Sequence, residues 1–101
     1  MIIYIDIDET ICYHPEGTPD QARDYKFAIP ILENIKKANS LYDEGHTIVY
    51  WTARGAVSGI DWTDLTQGQL EDWGAKHHEL RLDKPYFDIF IDDKVMNVKD
   101  W

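Results

Sequence analysis

The run Ile2-Ile3-Tyr4-Ile5-Asp6-Ile7, followed by Asp8-Glu9-Thr10, decides the fold class. Every residue from Ile2 to Ile7 except Asp6 is β-branched or aromatic. Such a nearly continuous run is the pattern of a strand buried on both faces, as in a parallel sheet. Working outward, residues 13–25 carry Pro15, Gly17, Pro19 and mixed charges and read as a loop. Ala28, Ile31, Ile35, Ala38 and Tyr42 then recur at spacings of three and four, which predicts an amphipathic helix over Pro30–Glu44. Pro30 suits its first turn and Gly45 its left-handed stop. Thr47–Trp51 is a second buried-type strand, ending at Thr52. After a loop with Gly55 and Gly59, a short helix is expected from Thr66. Thr66 and Gln69 form a capping box, Leu65 and Leu70 a hydrophobic staple, and Gly74 the stop. Residues 76–81 suggest a short edge strand, and Tyr86–Ile91 a last strand leading into Asp92-Asp93.

Alternating strands and helices imply right-handed crossovers and helices on the faces of a parallel sheet. The expected architecture is therefore α/β, a small three-layer Rossmann-like domain. The 101 residues suit a single domain over 1–101, and 44% hydrophobic content is too high for a disordered chain. No apolar run approaches the roughly 20 residues of a membrane span. The opening residues lack a signal peptide's basic start, and Cys12 stands alone, so a cytoplasmic protein is expected. A net charge of -9 argues against a phosphate-neutralising nucleic-acid groove.

In such sheets ligands bind at the carboxyl ends of the strands. Polar residues end three of the hydrophobic runs: Asp6 and Asp8, then Thr52 and Arg54, then Asp92 and Asp93. Carboxylates gathered on one edge repel one another unless a cation joins them. An all-oxygen donor set suits Mg2+, which usually serves phosphate chemistry. Thr52 and the cations Arg54, Lys84 and Lys94 complete the outline of a phosphoryl-transfer site in which a carboxylate can be the nucleophile.

Asp6-Ile7-Asp8-Glu9-Thr10, Thr52 after the second strand, Lys84 in Lys-Pro, and Asp92-Asp93 after the last strand resemble, in order, the four motifs of the haloacid dehalogenase (HAD) superfamily. The runs 48–55 and 84–94 are similar to small bacterial and phage capsule-biosynthesis phosphatases. The resemblance implies a phosphatase with Asp6 as nucleophile and metal ligand. Asp8 would be general acid and then base, with its main-chain carbonyl on the metal. Thr52 and Lys84 would hold the phosphoryl oxygens, with Lys94 as the rival lysine, and Asp92 and Asp93 would complete the Mg2+ site. The implied substrate is a small phosphorylated metabolite such as a sugar or polyol phosphate of surface-polysaccharide synthesis. Two features depart from the common pattern. Glu9 stands where many relatives have Gly, and there is no room for a cap domain. Only residues 9–25 and 53–65 could cover the site, so Tyr13, His14, Arg23, Tyr25, Arg54 and Trp62 are the candidate substrate contacts. Capless relatives imply either a homo-oligomer or an open site.

The plain alternatives are few. Asp-x-Asp alone is often just a turn, and Arg54 could be a surface cation. The four histidines lack the spacing of a zinc motif, and Cys12 reads as a small buried apolar group. Two rival functions remain open. One is a phosphatase of a macromolecular end, a nucleic-acid 3′-phosphate or a phosphoprotein. The other is a phospho-accepting receiver-type module, although its acid pair and phosphorylated Asp come in a different strand order.

Overall fold

The computed structural model describes residues 1–15 and 24–101. Three strands form a parallel sheet in the order β1-β4-β5: β1 is Ile2–Ile5, β4 is Thr47–Trp51 and β5 is Glu79–Arg81. Ile3 lies opposite Ile48 and Ile5 opposite Tyr50, while Tyr50 also faces Leu80. A second ladder, not foreseen in the loop reading, pairs β2 (Cys12–Tyr13) antiparallel with β3 (Ile29–Pro30). Helix α1 spans Leu32–Asp43 and α2 spans Thr63–Asp72.

Both helix stops are the expected ones. Gly45 has φ +98° and Gly74 φ +68°, and each begins a turn whose N–H groups satisfy carbonyls of the helix just ended. The start of α2 is three residues earlier than the capping-box reading, because Asp61 Oδ1 accepts from Thr63 N at 2.9 Å and Thr63 Oγ1 at 2.6 Å. Thr66 and Gln69 are buried inside the helix and serve a different partner.

The core gathers Ile5, Ile7, Ile48 and Tyr50 with Ile35 and Ala38 of α1 and Leu70 of α2. Successive strand side chains alternate between faces. The residues in register with Ile5 and Tyr50 therefore face the helices, and Ile2 and Tyr4 face away, 72% and 47% exposed. The described residues thus form an α/β domain with a three-stranded parallel sheet and two helices. The crossovers β1 to β4 and β4 to β5 advance in one direction, and right-handed connections of that kind place both helices on one face. A third layer needs a reversal of that order, which the described residues do not make.

One correction concerns Tyr86–Ile91, which forms no strand. The run bends at Asp88, with the Phe87 and Phe90 rings 5.3 Å apart, and Tyr86, Ile89 and Ile91 are 70%, 75% and 88% exposed. Strand propensity needs a neighbouring ladder to act on, and this run has none among the described residues. The chain then returns to α1, where Lys37 Nζ donates to the Trp101 carbonyl at 2.7 Å. No described helix is long and apolar enough to cross a membrane.

Candidate active site

The carboxyl end of β1 runs into a tight loop. The Ile7 carbonyl accepts from the N–H groups of Thr10, Ile11 and Cys12 at 3.1, 2.9 and 3.3 Å. Closing it puts Glu9 at φ +63°, the left-handed region in which a side chain is strained. Asn34 Nδ2 of α1 donates to the Thr10 carbonyl at 2.8 Å and fixes the loop against the helix.

Asp6 and Asp8 leave this loop with opposite surroundings. Asp6 has Lys84 Nζ at 3.4 Å and accepts from Thr10 Oγ1 at 3.5 Å. Burial outweighs the lysine's charge and raises its carboxyl above the usual range, with the Asp8 charge adding to the rise. Burial also presses on Asp8, but the Arg54 hydrogen bonds and charge, followed by His14, more than offset it and hold that carboxyl below the usual range. The two shifts run opposite in direction to the expected division, in which Asp6 stays ionised and Asp8 retains a proton.

Arg54 explains the lowering at Asp8. Its side chain is fully buried; Nε and Nη2 donate to the two oxygens of Asp8 at 3.0 and 2.9 Å. Nη1 donates to Thr66 Oγ1 at 3.1 Å and Gln69 Oε1 at 2.6 Å, and the guanidinium lies 4.6 Å from the Tyr25 ring centroid. Arg54 therefore holds Asp8 rather than reaching outward, and the two residues that read as a capping box are its acceptors. Polar residues three apart on the inward stripe of α2, beside buried Leu70, are the signal that could have revealed this.

His14 Nε2 lies 2.8 Å from Asp8 Oδ1, and the Cys12 thiol 3.5 Å from the same oxygen. These three residues have the spacing of a metal cluster, yet they fit a cation poorly. Arg54 already occupies the carboxylate, its Nη2 is 3.8 Å from Sγ, and burial pushes the thiol up to about 12, so it stays protonated. Asp6 fits Mg2+ better: its side chain is partly exposed and faces one lysine, and its carboxylate is a hard oxygen donor that a divalent cation would suit.

Thr52 is buried, and its Oγ1 accepts from Arg54 N–H at 3.2 Å, leaving its O–H to donate. Lys84 N–H donates to the Thr52 carbonyl at 3.2 Å, so the chain itself ties lysine, threonine and Asp6 together. Trp62 packs edge-on against Tyr25 with centroids 5.1 Å apart. Trp62 and Arg54, with Gly55, Ala56, Ile60, Asp61 and Leu82, line a recess of about 150 Å³. Tyr13 is half exposed on β2. Arg23 lies outside the described residues.

Among the described residues Asp92 and Asp93 make no hydrogen bond or ion pair with Asp6, Asp8 or Lys84. Both are exposed in a turn, where Asp92 Oδ1 accepts from Lys94 N–H at 3.2 Å and hydrogen bonding within the pair lowers the Asp92 carboxyl. A ladder beside β1 would carry them to its carboxyl end, and residues 86–91 form none among the described residues.

No protein-family model matches the chain, and no curated protein does. The chain is similar to the crystal structure of an MCSG target from Vibrio cholerae, with a TM-score of 0.80 and 22% identity over 98% of this chain and 85% of that one. At that identity the likeness bears on the fold alone.

Proposed function

We propose that this chain is a magnesium-dependent phosphomonoester hydrolase of the capless HAD type, working through an aspartyl-phosphate at Asp6. The observation that carries the reading is the meeting of Asp6 with Lys84 at 3.4 Å beside the buried Thr52, at the carboxyl ends of parallel strands. A carboxylate, an ammonium and a hydroxyl donor there supply a nucleophile and two groups for phosphoryl oxygens.

In this reading an Asp6 oxygen attacks phosphorus and the ester P–O bond breaks, releasing the alcohol. Water then attacks the acyl phosphate, freeing phosphate and restoring the carboxylate. Lys84 and Thr52 bind the phosphoryl oxygens throughout. Asp8 takes the proton of the attacking water; to donate one to the leaving oxygen it must first lose a contact with Arg54 or His14. Mg2+, held by Asp6, the Asp8 carbonyl and the Asp92-Asp93 pair, would supply positive charge to the transferring group when bound. The recess beside Trp62 suits a small leaving group, in keeping with a sugar or polyol phosphate.

The test is phosphate release from a panel of sugar, polyol, nucleotide and phosphopeptide monoesters with Mg2+. Turnover of small metabolites, lost with EDTA, restored by Mg2+ and absent in Asp6→Asn, is the expected result. Full activity in Asp6→Asn, or no turnover on the whole panel, overturns the reading.

A further inference from the structure

The described residues leave two strand surfaces without a partner, the free edge of β1 and the run 86–91. Among the described residues β1 pairs with β4 on one edge, and its other edge carries no ladder. The strand-forming run 86–91 is solvent-exposed and unpaired. A chain of contacts links them: Tyr4 meets Trp51 edge-on at 5.5 Å, and Lys84 Nζ lies 5.6 Å from the Trp51 ring and 5.4 Å from that of Phe87. A bare edge beside an exposed apolar run is a surface made to be covered.

The tether decides what covers it. To extend the parallel sheet and bring Asp92-Asp93 to the Asp6 end of β1, residues 86–91 must start near Ile2. Lys84 is held at the opposite end, 3.4 Å from Asp6. In a straight strand the eight steps from Lys84 to Asp92 span about 26 Å. One parallel strand therefore cannot keep Lys84 at a site and deliver Asp92 to the same site. Two copies related by a two-fold axis can. The run then adds to β1 of the other copy, and its own Lys84 stays where it is.

We propose that a second copy of this chain covers the patch by strand exchange, residues 86–91 of each copy pairing parallel with β1 of the other. The acid pair of one copy then completes the other copy's site, and the two sites lie about 26 Å apart. The two exchanged strands lie side by side and antiparallel, giving one continuous sheet and an isologous interface. The parallel register of the exchange and the role given to Asp92-Asp93 both rest on the phosphatase reading.

Three measurements on the full chain test it. Light scattering should give a dimer, and Ile89→Lys with Ile91→Lys a folded monomer by circular dichroism. Amide exchange over 86–91 should be slow in the dimer and fast on dilution to monomer. Co-expressed Asp6→Asn and Asp92→Asn/Asp93→Asn chains, each inactive alone, should recover about a quarter of wild-type turnover. Random pairing makes half the dimers mixed, and each mixed dimer has one whole site out of two. A wild-type monomer, protection of 86–91 that is independent of concentration, or an active wild type whose mixed variants recover nothing overturns the proposal. A dimer with protected 86–91 and no turnover supports the exchange and removes the phosphatase reading instead.

Discussion

Replacing Asp8 by Asn removes the charge that faces a fully buried guanidinium. Breaking a buried ion pair from one side costs about 3–5 kcal/mol, because the other charge stays behind uncompensated. Here the cost is moderated. The Asn carbonyl still accepts one of the two Arg54 bonds, and Thr66 and Gln69 keep theirs at 3.1 and 2.6 Å. The expected loss is about 2–3 kcal/mol, just below that range. For a chain of this length it corresponds to a fall in Tm of roughly 10–20 °C. Urea unfolding in EDTA, with Cm and m fitted separately, measures it. Adding Arg54→Met should then recover part of the loss, since the stranded charge leaves with the arginine. The pH dependence has a definite sign. The Asp8 carboxyl is lowered in the folded protein, so its stabilising contribution is complete above the ordinary carboxylate range and fades as pH falls through the folded value. The gap between wild type and Asp8→Asn should close in the same acidic window. A loss under about 1 kcal/mol, or a double variant no more stable than the single, would refute the assignment of Arg54 as the group that holds Asp8.

Asp6 carries the opposite sign: its raised carboxyl means that ionised Asp6 opposes folding above that value, so metal-free Asp6→Asn should unfold at higher urea at pH 7 while losing turnover. An unchanged or lower Cm would contradict the burial argument. Gly55→Ala should cost about 2 kcal/mol or more in chemical denaturation, because φ is +85° and a Cβ would collide with the Ile60 carbonyl oxygen. The Tyr50 hydroxyl is buried with no hydrogen-bond partner among the described residues, and burial pushes it up to about 12. Tyr50→Phe should therefore stabilise the protein by about 1 kcal/mol; a destabilised variant would mean the hydroxyl has a partner.

Much of the frame was legible because it depends on local pattern. Thr47–Trp51 is the strand its composition suggested, and Gly45 and Gly74 end helices because few other residues accept their backbone angles cheaply. Asp6 and Thr52 at neighbouring strand ends followed from the carboxyl-edge rule, whereas Lys84 beside Asp6 was implied only by the motif resemblance. Arg54 was legible only as a cation. Whether it faced solvent or a carboxylate depended on the packing of α2 against the loop after β1, a contact between segments far apart in sequence. The capping-box reading of Thr66 and Gln69 failed for the same reason. Their side chains suit a helix start equally well, and a buried guanidinium outcompeted that use.

What the sequence determined by itself is the set of elements and the chemical types at their ends, because periodicity, propensity and turn chemistry act over a few residues. The tertiary structure alone decided which carboxylate is held charged, that both helices share one face of the sheet, and that residues 86–91 find no ladder within the described chain. Those outcomes depend on solvation and on partners brought from a distance, and a hydrogen-bonding edge has no strand to pair with until the whole chain, or a second one, supplies it.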